Sequence, residues 1–227
     1  MYKLLFIVVL AGFFISVESQ FGRQCDVATL TTCQNNFQTL TGIDLRRPWQ
    51  EVRRAIENGY AGLNDTNFRM VCRGFYELGG CMRENFYACY NIPYLVQNNS
   101  LALQDAYNYL SIFLQSHFTC AAGFNVFLQN EGCFLNAWRT HRTTFDICYN
   151  LYETQIVANL GNPDSRTLCA LGSSFKTCIE LIFDSACGGL LDSIWWGCEY
   201  ARVNVITQFP FCSTADFRCV QSAPPSS

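Results

Sequence analysis

Two histidines occur in the chain, and neither lies in a pattern typical of catalysis or metal binding. His117 falls among apolar residues at helical spacing, where a packed core histidine is the ordinary interpretation. His141 lies between Arg139 and Arg142, in a segment that we expect to be an exposed linker. Gly172-Ser173-Ser174-Phe175 lacks both the flanking glycine and the preceding strand of a nucleophile elbow. The sequence therefore predicts no catalytic residue.

The acidic and sulfur-bearing residues are not spaced for metal, phosphate or redox chemistry. No C-x-x-C, phosphate loop, EF-hand loop or H-E-x-x-H is present in the sequence, so we expect no metal site and no cofactor. Asp184 and Asp192 flank Gly188-Gly189, and acids in such positions usually cap or solvate helix ends.

The fourteen cysteines instead predict a disulfide framework. An even number of cysteines behind a signal peptide is typical of secreted proteins, because oxidising compartments let thiols pair and keep them paired. We expect every cysteine to be bridged, and the set is Cys25, Cys33, Cys72, Cys81, Cys89, Cys120, Cys133, Cys148, Cys169, Cys178, Cys187, Cys198, Cys212 and Cys219.

The first nineteen residues have the pattern of a signal peptide. Lys3 supplies the positive charge, the apolar run Leu4 to Ile15 follows, and small residues place the cleavage after Ser19. The run is too short for a membrane span, and no later segment qualifies. We therefore expect a secreted, extracellular protein with a domain at 20–220 and a disordered tail at 221–227.

Two N-x-S/T sequons predict glycosylation at Asn64 and Asn98, although sequons also occur by chance and stay unused.

A formal charge of −3 gives no electrostatic reason to expect nucleic acid as a partner. Arg46-Arg47 and Arg53-Arg54 are the densest basic doublets. They are most simply a solvated or ion-paired helix face, with a polyanion-binding patch as the alternative.

Apolar residues recur at helical spacing nearly throughout, and no long strand pattern occurs, which predicts an all-α fold. We expect one helix to stop at Gly79-Gly80, and the longest helix to begin at Ser100. The apolar stripe of that longest helix would include His117. Asp164 should cap another helix, and Gly188-Gly189 should precede the last.

The cysteine spacing predicts two diverged halves, 20–123 and 124–220. Cys72, Cys81 and Cys89 are spaced like Cys169, Cys178 and Cys187, with glycine-interrupted helices around them. The two sets of six related cysteines, in matching order, are 25, 33, 72, 81, 89, 120 and 133, 148, 169, 178, 187, 212. If the halves are copies, equivalent cysteines should make equivalent bridges, and Cys198 should pair with Cys219. Chance similarity between helical cysteine-rich segments is the alternative.

Helix geometry excludes some pairings. If Cys81 and Cys89 share one helix, their Cα atoms are about 12 Å apart at 1.5 Å per residue, whereas a disulfide needs roughly 4.4–6.8 Å. The same holds for Cys178 with Cys187, so each such segment should be bridged to two different neighbours.

The abundant aromatic residues allow two interpretations. The pair Trp195-Trp196, together with Phe183, could line a hydrophobic cavity, but core packing is the more general expectation because nineteen Phe must be buried somewhere.

The order of the cysteines resembles that of the twenty-seven-kilodalton haemolymph glycoprotein family of arthropods and, more loosely, cysteine-rich secreted domains of nematodes. The likeness covers most of the mature chain and rests on a Cys-x7-Cys opening followed by Cys72, Cys81, Cys89, Cys120, Cys133, Cys148, Cys169, Cys178, Cys187 and Cys212. This chain departs from the pattern in carrying Cys198 and Cys219 and in being richer in aromatic residues. The resemblance implies a secreted helical protein without an assigned reaction, and it carries over no catalytic residue.

Three functions fit these patterns. The first is a non-enzymatic extracellular glycoprotein of body fluid or secreted matrix, whose partner is an unknown extracellular protein. The second is a carrier of small apolar molecules, which would need a cavity lined by Phe and Trp. The third is an enzyme or enzyme inhibitor, which would need polar groups convergent on His117 or a rigid exposed loop such as Ile92 to Asn99.

Overall fold

A computed structural model describes residues 24–161, 164–212 and 217–219, and this part of the chain is helical without strands. Its eleven helices are α1 (Val27–Thr41), α2 (Trp49–Tyr60), α3 (Thr66–Met82), α4 (Asn85–Cys89), α5 (Ile92–Asn98), α6 (Leu103–Cys120), α7 (Phe124–Gln129), α8 (Glu131–Thr140), α9 (Arg142–Asn159), α10 (Ser165–Cys187) and α11 (Leu191–Gln208), followed by the 3-10 turn Pro210–Cys212. The all-α prediction is confirmed. The predicted signal peptide at 1–19 and tail at 221–227 lie outside the described residues.

Local capping sets several helix ends. The Asp26 carboxylate accepts a hydrogen bond from the N–H of Ala28 at 3.0 Å at the start of α1, and Gly42 ends that helix with φ +76°. The Asp164 carboxylate likewise starts α10, and Gly188 ends it with φ +64°. These are the side-chain cap and the left-handed glycine stop that short-range sequence predicts.

Two predicted boundaries are wrong. Helix α3 continues through Gly79-Gly80 to Met82 and ends at Arg83, whose φ is +49°. Leu78 and Met82 are both buried, and this packing holds the last turn although glycine weakens a helix. Helix α6 begins at Leu103 rather than Ser100, and its 18 residues are fewer than the 23 of α10.

The helices divide into two groups that meet along one interface. In the first group α1 packs on α3, and α3 packs on α2 and α6; in the second, α10 is central and packs on α8, α9 and α11. The groups join where α6 packs against α11 and α2 packs against α8. The interface between α6 and α11 therefore lies in the middle of the molecule.

All fourteen cysteines are paired, as predicted. The bridges are Cys25–Cys89, Cys33–Cys81, Cys72–Cys120, Cys133–Cys187, Cys148–Cys178, Cys169–Cys212 and Cys198–Cys219. Cys178 and Cys187 share α10 and are bridged to two different elements, which agrees with the geometric exclusion. Cys81 and Cys89 lie on separate helices, α3 and α4, and they are also not paired with each other.

The pairing is equivalent in the two predicted halves. Each bridge of the first half has a counterpart in the second when the cysteines are matched in order, and Cys198 pairs with Cys219 as the remaining two. Every bridge lies on one side of the predicted boundary between residues 123 and 124. The expectation that related cysteines make related bridges is confirmed. The expected helix–Gly–helix unit is wrong for the second half, because Cys169, Cys178 and Cys187 all lie on the single continuous helix α10.

Candidate functional site

The residues singled out for possible chemistry do not form a site. His117 lies on the exposed side of α6, so its predicted place on an apolar, core-facing stripe is wrong. His141 is half-buried at the junction of α8 and α9 rather than in an exposed linker. The segment Ile92 to Asn99, considered as a rigid loop, is mainly the short helix α5.

The exposure of His117 follows from an unusual buried face of α6. Its core-facing side includes Ala106, Ile112 and Phe113, but polar residues continue the same face. Because polar residues occupy buried positions and Leu103 and Leu114 occupy exposed ones, apolar periodicity identifies the wrong side of the helix.

The buried polar residues of α6 pair with α11 across the interface between the two helix groups. Gln208 donates from Nε2 to Asn108 Oδ1 at 3.0 Å, and Gln115 donates from Nε2 to the Tyr200 carbonyl at 3.0 Å. Gln104 extends the network by donating to Gln208 Oε1 at 3.0 Å. Such groups are stable in a core because each finds a partner.

A charged cluster lies beside this network and joins α2 to α9. It consists of Arg53 and Glu57 from α2 and Arg142 and Asp146 from α9. Arg142 Nη1 lies 2.6 Å from Glu57 Oε2, and Arg53 Nη2 lies 3.7 Å from Asp146 Oδ1. Arg53 is 5% exposed and Glu57 1% exposed, so both charges depend on protein partners rather than on water.

Aromatic groups enclose the charged cluster. The Arg53 guanidinium lies 3.8 Å from the centroid of the Tyr149 ring and 5.6 Å from that of Trp49, which is a cation–π arrangement. The Tyr200 hydroxyl donates to Glu57 Oε1 at 3.4 Å, and Gln115 Nε2 donates to the Tyr149 hydroxyl at 3.1 Å. Burial raises the pKa of Tyr149 and Tyr200 well above the ordinary range, so both phenols are neutral.

The charged cluster partly changes the interpretation of the basic doublets. Arg54 is exposed and pairs with Asp146 at 3.3 Å, as an ion-paired face would. Arg53 points inward instead. The spacing of four residues between Arg53 and Glu57 is a sequence signal for an ion-paired helix face. The spacing does not reveal that both are buried and that each pairs with a residue of α9.

Glu153 is the acid with the most perturbed pKa. Burial raises the pKa of Glu153 to about 7, the Arg53 guanidinium lowers it in part, and the carboxylate of Asp105 raises it further. Asp105 itself accepts a hydrogen bond from Trp49 Nε1 at 2.8 Å. A carboxyl group titrating near neutrality is a possible acid or base, but the charged groups that act on Glu153 are Arg53 of α2 and Asp105 of α6, which belong to the packed protein.

One group of potential metal ligands occurs among the described residues, and its chemistry does not suit a metal. Ligand atoms of Glu180, Cys198 and Cys219 lie within 4.8 Å of one another. Cys198 and Cys219 are bridged, and a disulfide carries no thiolate, the form that binds metals. This leaves a single carboxylate.

The aromatic residues that could have lined a cavity are packed together. The rings of Phe183 and Trp196 are completely buried with centroids 5.1 Å apart, while Trp195 is half-buried against Phe118. A Cβ at Gly123 would lie 2.5 Å from Trp196 Nε1, and one at Gly197 would lie 2.6 Å from Phe183 Cδ2. The space around these rings is therefore filled.

A groove does open at the surface, between α1 and α3. It has a volume of about 520 Å³ and is lined by Cys33, Asn36, Phe37, Leu40, Tyr76, Glu77, Leu78, Gly80 and Cys81. From the sequence, Gly79-Gly80 predicts only the end of a helix, and the groove was not predicted. The pair of glycines within an apolar helical pattern is the signal that could have indicated it.

The two glycosylation acceptors are placed where an enzyme can reach them. Asn64 is exposed between α2 and α3, and its Oδ1 accepts a hydrogen bond from the Thr66 N–H at 3.1 Å. Asn98 is exposed at the last position of α5, and Ser100 two residues later is also exposed. Both sequons are sterically open.

No protein-family model, curated protein or solved structure matches the chain. Within the described ranges, none of the helices combines the length and apolar character that crossing a membrane requires.

Proposed function

We propose that the protein is a secreted, non-enzymatic extracellular glycoprotein of body fluid or of a secreted matrix. The observation that carries this proposal is the pairing of all fourteen cysteines in seven bridges. Disulfides form and persist in oxidising compartments and are rare in the cytosol. The resemblance of the cysteine order to that of the haemolymph glycoprotein family supports the same compartment.

The disulfide framework suits a long-lived extracellular protein. Each bridge restricts the unfolded chain and typically contributes about 2–4 kcal/mol to stability. The bridges span 21 to 64 residues, so each closes a substantial loop. Resistance to unfolding and proteolysis follows, because an unfolded chain is what proteases and aggregation remove.

The non-enzymatic part of the proposal rests on the charged cluster. Its Arg and acidic groups face one another between α2 and α9, and the Arg53 guanidinium is covered by the rings of Trp49 and Tyr149. This arrangement sets opposite charges of the two helices against each other, and a substrate would have to displace the surrounding side chains to reach Arg53 and Glu57, which are 5% and 1% exposed. The cluster thus has a structural task that accounts for its residues.

Expression of the complete chain in cultured insect cells tests the proposal. We expect the protein in the medium, an N-terminus at Gln20, and no cysteine alkylated under native non-reducing conditions. Peptide-N-glycosidase should reduce its mass, and the single substitutions Asn64→Gln and Asn98→Gln should each remove one glycan. Retention in the cell with two or more alkylated cysteines would contradict secretion through an oxidising compartment.

A further inference from the structure

The groove between α1 and α3 has the size and lining of a small-molecule site. Phe37, Leu78 and the Cys33–Cys81 bridge are deep in its wall, and Leu40 is half-buried beside them. Its volume of about 520 Å³ falls in the range of roughly 300–1,000 Å³ that is typical of ligand pockets. The groove is thus large enough for one ring system and a short chain.

Gly80 lines the groove without a side chain, and Gly79 beside it has none either. Glycine in a helix interior costs about 0.5–1 kcal/mol relative to alanine, so each needs a reason. At Gly74 in the same helix the reason is packing, because a Cβ would lie 2.4 Å from Thr41 Cγ2. At Gly79 and Gly80 a Cβ would meet nothing within 4 Å, so packing does not require these glycines. Helix termination does not require them either, because the helix ends later, at Arg83.

The second half provides an internal comparison. Matching Cys81 to Cys178 places Lys176 and Thr177 where the first half has Gly79 and Gly80. Lys176 is 9% exposed, with its stem packed down and its ammonium 3.8 Å from Glu180. Thr177, which matches Gly80, is exposed, so the second half carries a side chain at both positions where the first half has none.

The rim of the groove has the chemistry of a cation site. Tyr76 is 83% exposed at the rim, and the neighbouring Glu77 also lines the groove. Asn36 adds an amide, and the groove-lining set contains no Lys or Arg. Glu77 pairs with Arg73 on the outer surface at 2.7 Å, but both side chains are exposed. Such a pair is weak, so a bound ammonium can replace Arg73 as the partner of Glu77.

We propose that this groove binds a small organic cation with an apolar body, such as an aromatic amine. The body would lie against Leu40 and the backbone of Gly80, above the buried Phe37 and Leu78, and the ammonium would face the Tyr76 ring and the Glu77 carboxylate. The inference goes beyond the proposed function, since groove binding depends neither on secretion nor on glycosylation. It makes the protein a ligand carrier whose site is at the surface rather than in the aromatic core.

Titration calorimetry on the purified mature protein tests the site with two probes that share one ring. Tryptamine and indole-3-propionate carry the same indole and an ammonium or a carboxylate at the same distance. We expect tryptamine to bind at least about tenfold more tightly, because only its charge complements Glu77. Glu77→Gln should remove most of this preference.

A filling substitution locates the binding. Gly80→Leu places a side chain into open space, so it should keep the helical circular dichroism spectrum and abolish tryptamine binding. Thr177→Leu, at the equivalent position of the second half, is the matched control and should leave binding unchanged. Gly80→Ala should weaken binding only in part while raising the melting temperature.

Three results would overturn the proposal. The first is no tryptamine binding to the wild type at millimolar concentration. The second is equal affinity for both probes, which would remove the preference for a cation. The third is binding that persists in a folded Gly80→Leu variant. Self-association that Gly80→Leu abolishes would assign the groove to a second copy of the chain and would overturn the small-molecule site as well.

Discussion

Replacing Glu57 by Gln tests whether the charged cluster holds the two groups of helices together. Glu57 is the most buried acid of the cluster, and its Oε2 lies 2.6 Å from Arg142 Nη1. The substitution keeps the size and shape of the side chain but removes its charge. Arg53 and Arg142 would then face Asp146 as the remaining carboxylate of the cluster.

The expected cost can be worked out from this geometry. Opposite charges centred about 4 Å apart attract by about 4 kcal/mol at the effective dielectric of about 20 found near protein surfaces. Breaking a buried pair by removing one partner typically costs about 3–5 kcal/mol. The Arg142 side chain is 21% exposed and Asp146 compensates in part, so we expect a loss of about 2–4 kcal/mol.

Thermal unfolding followed by far-ultraviolet circular dichroism measures this loss. For a chain of this size, 1 kcal/mol corresponds to about 2–4 °C, so Glu57→Gln should lower the melting temperature by about 4–16 °C. Glu77→Gln is the matched control, because it makes the same change in an exposed pair with Arg73. That pair contributes at most about 1 kcal/mol. Equal shifts for the two variants would refute the structural role assigned to the cluster.

Further predictions concern pH, packing and the additional bridge. Burial raises the pKa of Glu153 from 4.5 to about 7, so its contribution to stability is full below pH 4.5 and is lost as pH rises through 7. Glu153→Gln should therefore raise the melting temperature at about pH 8 and change it little at about pH 5; the same shift at both values would contradict the raised pKa. Gly74→Ala should destabilise the protein by about 1–3 kcal/mol in urea titrations, because the new Cβ would lie 2.4 Å from Thr41 Cγ2, and a more stable variant would show that this contact relaxes freely. Replacing Cys198 and Cys219 together by Ser should cost about 3 kcal/mol by the same titration, as expected for a loop of 21 residues, while mass mapping finds the other six bridges unchanged.

Features with a local physical cause could be predicted from the sequence. Asp164 caps a helix because its carboxylate reaches the N–H groups of the next turn, and Gly188 ends one because it accepts a positive φ. The equivalent disulfides could also be predicted. Cys72 and Cys81 on α3 have the same spacing as Cys169 and Cys178 on α10, so each pair presents its sulfur atoms in the same relative directions, whatever lies between them.

Features that depend on distant partners could not be predicted in this way. Gln115 and Asn108 look like surface residues in the sequence of α6, and they are buried because α11, almost a hundred residues away, supplies their hydrogen bonds. The charged cluster is stable for the same reason, since Glu57 finds Arg142 on another helix.

The sequence by itself determined the helical class, the helix ends at Asp164 and Gly188, and the equivalence of the bridges in the two halves, because caps, periodicity and cysteine spacing act over a few turns of chain. The tertiary structure alone decided which side of α6 is buried, that Arg53 turns inward, and that Gly79-Gly80 borders an open groove rather than ending a helix. Each of these depends on the free energy of a polar or small residue in a particular environment. That environment exists only once the helices have packed.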